Sequence, residues 1–295
     1  MSFLSYVTDG NKELQCFMQR MCGYALTGAT REHALFFLYG TGANGKSVFL
    51  NTISSVMGNY ARTAPIESFV VSMNEHHPTD LAALQGARLV TAVETEDGRR
   101  WAEAKIKALT GGDRIAARFM RQDFFEFVPQ FKLIIAGNHK PGLRTVDEAM
   151  RRRFNLLPFT VTVPAPERDT ELTEKLREEW GGIIQWMIEG CLAWQADGLQ
   201  APKAVSDATA TYFAAEDVLS RWIEERCDTK DAQWASATEL FRNWLQWCKE
   251  NQEEPGSQKR FSENLESRGF EPKRTKKARG FNGIGLVTGV TGQPI

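Results

Sequence analysis

The stretch Gly40-Thr41-Gly42-Ala43-Asn44-Gly45-Lys46-Ser47 leaves this chain few architectures to choose from. Directly before it runs the apolar Ala34-Leu35-Phe36-Phe37-Leu38, and after it Val48-Phe49-Leu50-Asn51-Thr52-Ile53 spaces its apolar side chains as a helix does. A strand that turns through glycines into a helix aims unpaired backbone N–H groups at the turn, where an anion fits. Gly, four residues, Gly-Lys-Ser is also phosphate-loop spacing. Glycines 40, 42 and 45 let the backbone wrap phosphate oxygens, Lys46 brings a point charge to the outer phosphates, and the Ser47 hydroxyl suits Mg²⁺. Residues Gly40 to Ser47, with Val48 behind them, are the candidate contacts for a nucleoside triphosphate and its Mg²⁺.

With 295 residues and 42% apolar composition, the chain can bury a sizeable core and has room for more than one domain. The formal net charge of -1 hides an asymmetry. Residues 258–285 hold eight Lys or Arg against three Glu, which makes that segment +5 and the remainder -6. Such a segment points to a polyanion-binding C-terminal module. The five cysteines are odd in number, scattered and without a partner at metal-binding spacing, so reduced thiols in a cytoplasmic protein are expected. His76-His77 before Pro78 reads as a solvated turn, and no metal beyond Mg²⁺ is expected. The N-terminus lacks a basic region followed by a long apolar core, and no apolar run approaches membrane-spanning length, so neither secretion nor membrane insertion is expected.

Apolar runs at 33–39, 88–93, 131–136 and 153–160 alternate with helical or loop segments, the pattern of a mostly parallel sheet with helices on both faces. Before them, Leu14, Phe17, Met18, Met21, Ala25 and Leu26 keep helical spacing up to Thr27-Gly28. Between the second and third strands, a helix over Trp101–Leu109 leads to a hairpin in which residues 115–119 and 124–128 flank the tip Arg121-Gln122-Asp123. Beyond Pro166 the chain turns helical, with a break expected at Gly181-Gly182 and a second helix over Val205–Trp222. Trp180, Trp186, Trp194 and Trp222 sit at core-like spacing. The last segment orders a helix over 238–251, a turn at Pro255-Gly256, a helix over Gln258–Ser267 capped by Ser257, and two basic strand-like pieces. That is the order of a winged-helix module.

Hydrolysis of a triphosphate needs an acid for Mg²⁺, a group to place water and a cation for the transition state. Glu94 ends the second strand and Glu96 stands two residues on, so one can anchor Mg²⁺ while the other polarises water; the spacing leaves their division of labour open. Asn138 follows the third strand and suits the γ-phosphate or the water. Arg151-Arg152-Arg153 precede the fourth strand, where one arginine at a subunit edge can reach a neighbour's nucleotide.

In this order, Gly-Ala-Asn-Gly-Lys-Ser (42–47), Glu94-Thr95-Glu96, Lys107-Ala108-Leu109-Thr110-Gly111-Gly112-Asp113, Phe127-Val128-Pro129, Asn138-His139-Lys140-Pro141 and Asp147-Glu148-Ala149 with Arg152-Arg153 resemble the superfamily 3 helicases. Within them the chain is most similar to the phage, plasmid and poxvirus primase-helicase branch. The resemblance runs from about residue 10 to 160 and more weakly through the C-terminal segment. It implies Lys46 and Ser47 as the Walker A pair, Glu94 or Glu96 as Walker B acids, Asn138 as sensor, and Arg153, with Arg152 in reserve, as the arginine finger. It also implies a DNA-contacting hairpin with Arg118 and Arg121, and a role for Lys107 at DNA or phosphate. Lys259, Arg260, Lys273, Arg274, Lys276 and Lys277 of the C-terminal module become DNA candidates. Two departures stand out: Thr95 separates the two acids, and the hairpin tip lacks the Lys-His pair of some viral members.

The fold expected is α/β: an AAA+-like P-loop core with parallel sheet and inserted β-hairpin, helical collar segments and a C-terminal winged helix. The boundaries are a helical lead-in at 1–30, the ATPase core at 31–165, a helical segment at 166–230, the winged helix at 231–289 and a disordered tail at 290–295. The resemblance implies an ATP- and Mg²⁺-dependent hexamer moving 3′ to 5′ on single-stranded and forked DNA in a bacterial host's cytoplasm, encoded by a phage or mobile element, with a primase or polymerase module as partner. An origin-binding initiator switched by ATP is the alternative. A small-molecule kinase leaves the hairpin, the arginine run and the basic C-terminal module without a purpose.

Overall fold

The computed structural model describes residues 2–71, 79–94, 98–143, 146–275 and 278–287, without the side chain of Glu94. His76-His77 and the tail at 290–295 lie outside the described residues. Among the described residues, no helix is long and apolar enough to cross a membrane. The chain divides into two compact units, Met1–Glu216 and Asp217–Ile295.

The first unit begins with α1 (Ser2–Val7) and α2 (Lys12–Ala25), the latter capped by the Asn11 side chain on the Leu14 N–H. There follow β1 (Leu35–Tyr39), α3 (Lys46–Met57), β2 (Ala61–Thr63), α4 (Thr79–Ala82), β3 (Leu89–Glu94), α5 (Glu103–Gly111), β4 (Ile115–Ala117), β5 (Phe125–Phe127), β6 (Lys132–Gly137), α6 (Glu148–Arg151) and β7 (Phe154–Pro158). The unit closes with α7 (Leu172–Glu178), α8 (Trp180–Asp197) and α9 (Lys203–Glu216).

Five strands form one sheet in the order β2-β3-β6-β1-β7, and every pairing in it is parallel. Alternate side chains of each strand enter opposite cores. Leu35, Phe37, Leu133, Ile135 and Leu156 pack beneath α5 and α9, while Phe36, Leu38, Ile134, Ala136 and Leu157 pack beneath α2, α3 and α8. The near-continuous apolar strands are thus explained by burial on both faces. The expected mostly parallel sheet is present, with one strand more than the four apolar runs announce. β2 is a three-residue edge strand, too short and too polar to carry a periodic signal.

Two expectations about the helices need correction. Gly181-Gly182 lie inside α8; the break falls at Glu179, because glycines in a first helical turn, with nothing within 4 Å of their Cβ positions, cost little packing. The expected helix over 205–222 is two helices, parted where the Asp217 side chain accepts the Ser220 N–H and caps a new start. Trp194 and Trp222 are core as expected, whereas Trp180 and Trp186 are only partly buried.

Lys132 opens β6 with only 1% of its surface exposed. Its ammonium donates to the carbonyls of Thr27, Ala29 and Gln130 and stands over the Tyr24 ring, so one cation clamps the lead-in onto the sheet. Burial, with Arg88 nearby, pushes its pKa down to about 7. Lys132→Met leaves three carbonyls without this donor and is expected to cost about 2 kcal/mol. Hydrogen exchange in α2 and β6 reads the loss, and unchanged protection there would show that the clamp does not hold.

The second unit orders α10 (Val218–Arg226), β8 (Cys227–Asp228), β9 (Trp234–Ser236), α11 (Ala237–Asn251), α12 (Gln258–Ser267), β10 (Glu271–Arg274), β11 (Arg279–Asn282) and β12 (Gly285–Leu286). A three-stranded sheet runs β10-β11-β9, both pairs antiparallel. Its core sets Trp222 of α10 edge-on against Trp244 and Phe261, with Trp244 stacked on Trp247. The unit therefore begins at Asp217, earlier than the boundary at 231: Trp222 supplies core that α11 and α12 lack alone, and Arg268 after α12 is ion-paired to Asp217.

Candidate nucleotide site and nucleic-acid surfaces

The loop between β1 and α3 follows from its residues. Gly42, Ala43 and Gly45 have φ values of 107°, 48° and 84°, a left-handed run that glycine tolerates freely and that curls the chain into a nest before α3. A Cβ on Gly40 would stand 2.1 Å from the Phe159 carbonyl oxygen, so nothing larger fits. Asn44, buried at 3% exposure, donates from Nδ2 to that same carbonyl at 2.8 Å, and Val163 N–H donates to the Ala43 carbonyl at 2.7 Å. The segment after β7 thus braces the loop from behind.

Lys46 is buried with its Nζ 2.7 Å from the Gly40 carbonyl, 3.0 Å from Asn44 Oδ1 and 3.2 Å from Asn138 Oδ1. Burial lowers its pKa. Asn138 therefore meets the loop lysine across ninety-two residues of sequence. Ser47 and Thr41 are exposed at the mouth of the loop, and Val48 is partly buried in the first turn of α3.

Register brings the backbone of Glu94 to the same edge. Glu94 pairs with Gly137, and Gly137 pairs with Tyr39, so the backbone of Glu94, the residue before Asn138 and the residue before Gly40 form one row across three strands. The Glu94 side chain and Glu96 lie outside the described residues.

The arginines lie elsewhere. β1 and β7 are parallel, with Leu35 opposite Phe154 and Tyr39 opposite Pro158, and the Leu35 N–H donates to the Arg153 carbonyl. The arginine segment therefore sits at the edge of the sheet opposite the glycine loop. Five residues of strand at about 3.3 Å each separate the two by roughly 16 Å. Arg153 is only 7% exposed: its Nε donates to Thr110 Oγ1 at 3.2 Å and its Nη1 to the Ala149 carbonyl at 2.6 Å. Burial, with Arg152 beside it, lowers its pKa. Arg152 is exposed. Position before a strand reports nothing about which neighbour turns inward.

The hairpin is present as β4 and β5, shorter than its apolar flanks suggest. Arg121 holds φ 59° at the exposed tip, and the Arg118 guanidinium stacks over Phe124 at 4.8 Å. Phe119, Met120 and Phe124 are also exposed. Lys107, expected at DNA or phosphate, is ion-paired to Asp147. Asp147 also caps α6 by accepting the Met150 N–H at 2.7 Å. Neither Asp147 nor Thr110 stands out as a site residue in the sequence, although a capping Asp before a short helix is a readable signal.

In the second unit Lys273 and Arg274 lie on the exposed strand β10, and Lys259 is exposed on α12 within 3.8 Å of Glu263. Arg260 is half-buried on the same helix. Lys276 and Lys277 lie outside the described residues.

A parallel five-stranded sheet with a glycine nest between its interior strand β1 and a helix makes this an α/β protein. Residues 38–153 match a family described as of unknown function, DUF5906. Over 262 residues the chain is 25% identical to "Putative helicase L207/L206" of Acanthamoeba polyphaga mimivirus, covering 82% of this chain and 27% of that protein. It is 23% identical over 255 residues to "Putative helicase 022R" of Frog virus 3, covering 80% of this chain and 26% of that protein. The chain thus spans about a quarter of the length of these relatives. An apo structure of the NrS-1 C-terminal region superposes with a TM-score of 0.58 at 12% identity, over 85% of this chain and 57% of that one. By sequence the chain is thus similar to viral proteins named putative helicases, and by fold to the NrS-1 C-terminal region.

Proposed function

We propose that this chain is the motor portion of a replicative DNA helicase, hydrolysing ATP between subunits of a hexameric ring and drawing single-stranded DNA through it. The observation that carries the reading is the opposition along β7. The strand ends in the segment that braces the glycine loop and begins at the arginines, so a subunit cannot bring its own arginines to its own loop. Each subunit holds two half-sites, and a head-to-tail ring joins one to the other. The strand order β2-β3-β6-β1-β7 with an inserted hairpin supports an AAA+-like core.

In this reading the nest of residues 40–45 and Lys46 hold the β- and γ-phosphates of ATP. Ser47 and one of Glu94 and Glu96 hold Mg²⁺, which supplies charge neutralisation for phosphoryl transfer. The donor set fits: a buried ammonium at the centre of the loop, a hydroxyl at its mouth and the backbone of Glu94 on the same sheet edge. Asn138, already in contact with Lys46, orients the attacking water or senses the γ-phosphate. Arg152 reaches the neighbouring site because it is exposed, while Arg153 anchors it from behind. The hairpin contacts the strand through Arg118 and Arg121, and α11, α12 and the basic β10–β11 wing form a winged helix that binds DNA by its phosphates. A primase or polymerase module acts beside it.

The test is ATP turnover with and without single-stranded DNA, together with fork unwinding. Turnover stimulated by the strand and coupled to unwinding is expected. Turnover indifferent to DNA, without unwinding, would sink the motor reading, and slow hydrolysis with strong duplex sequence preference would replace it with an origin-binding switch.

A further inference from the structure

The helix that leads into the hairpin also holds the arginine segment. α5 contributes two side chains one turn apart: Lys107, ion-paired to Asp147, and Thr110, which accepts from Arg153 Nε at 3.2 Å. Asp147 in turn caps α6, the four-residue helix that ends at Arg151. Thr110 is 4% exposed, and its carbonyl lies 3.0 Å from His33 Nδ1, so this end of α5 is tied to the body of the unit as well. Past Thr110 the chain turns at Gly112, in the left-handed region at φ 83°, and enters β4 at Ile115. The hairpin root and both ends of the arginine segment therefore share one anchor.

We propose that Lys107 is a positioning residue for the arginine that completes the neighbouring subunit's site, acting through Asp147, and that α5 thereby links the hairpin to that arginine. The inference rests on the shared-site reading above. A four-residue helix does not hold its own orientation; a helix this short is stable only through its tertiary contacts. Asp147 supplies both the cap and the lateral tie, and Lys107 sets which way the cap faces. Displacement of the hairpin by a bound strand would move α5, and with it Lys107 and Thr110. The arginine then approaches or leaves the neighbouring phosphate, where a misplacement of about 1 Å costs on the order of 100-fold in rate.

Asp147→Asn separates the tie from the cap, because asparagine caps as well as aspartate but carries no charge for Lys107. Lys107→Met, Lys107→Arg, Asp147→Asn and the Lys107→Met/Asp147→Asn pair would be compared in the full chain. The measurements are kcat and KM for ATP, strand stimulation, and complementation by Lys46→Ala subunits. Lys107→Met and Asp147→Asn are each expected to lower kcat about tenfold with KM for ATP within about twofold, and the pair no further. Lys107→Arg is expected to recover most of the loss. Lys107→Met subunits retain a sound loop, so mixing with Lys46→Ala subunits, which retain sound arginines, is expected to restore turnover. A merely structural defect would not be rescued in this way.

The salt dependence of strand binding supplies the opposing outcome. If Lys107→Met keeps kcat but weakens binding and flattens the salt slope by about 0.7, the lysine is a phosphate contact and the proposal is overturned. Wild-type protein without ATP turnover overturns the shared-site reading itself. Active wild type with unchanged variants overturns this inference alone.

Discussion

Lys46→Ala is expected to lower ATP turnover by about 10²–10³-fold or more, the usual cost of removing one pre-placed charge from a phosphoryl-transfer site. The lysine is buried and its ammonium lies among Gly40, Asn44 and Asn138, so the substitution removes both the charge and the hub that joins the loop to Asn138. The Arg152→Ala/Arg153→Ala double variant is expected to be equally inactive for a different reason: its loop is sound, but it presents nothing to its neighbour. Mixing the two inactive proteins should therefore restore activity. In randomly mixed rings about a quarter of interfaces pair a sound loop with a sound arginine, so turnover near that fraction of wild type is expected. No recovery in rings shown to exchange subunits would mean that the arginines do not act across an interface. The single variants separate the two roles. Arg152→Ala is expected to lose turnover with its folding intact, whereas Arg153→Ala also loses the bonds to Thr110 and Ala149.

Gly23→Ala is expected to destabilise the first unit by about 3 kcal/mol or more, a large effect for one methyl group. α2 and α8 cross backbone to backbone. A Cβ on Gly23 would lie 2.0 Å from the Cys191 nitrogen, and one on Gly190 would lie 2.1 Å from the Gln19 carbonyl oxygen. The atoms in the way are main chain and cannot swing aside, so the helices must separate. That separation loosens Met18, Met21, Cys22 and Met187, all fully buried at this crossing, along with the Gln19–Trp186 and Arg20–Asp197 contacts. Hydrogen exchange would show the loss in α2 and α8 first, with α11 and α12 of the second unit unaffected. Because the clash is steric, Gly190→Ala should reproduce it. Wild-type protection in both variants would mean that the helices lie farther apart than described.

Much of the fold is legible before any coordinates. The apolar runs at 33–39, 88–93, 131–136 and 153–160 fall on β1, β3, β6 and β7 within two residues at each end, because strands buried on both faces cannot afford polar residues. Ser257 and the left-handed Gly269 mark the limits of α12 because caps are local chemistry. The short edge strand β2 and the start of the second unit at Asp217 are not legible in this way. One has no period to read, and the other depends on Trp222 finding Trp244 and Phe261 in space.

The same division holds at the site. The residues from Gly40 to Ser47 determine by themselves the left-handed nest before α3 and the donor types it presents, since both are properties of those residues and their immediate neighbours. Tertiary structure alone decides that Asn138 meets Lys46, that Lys107 faces Asp147, that Arg153 turns inward, and that the arginines stand at the far edge from the loop. Spacing along a chain records which backbone shape a segment prefers. Which side chain ends opposite which is set by parallel register across strands far apart in sequence, and no local pattern carries that information.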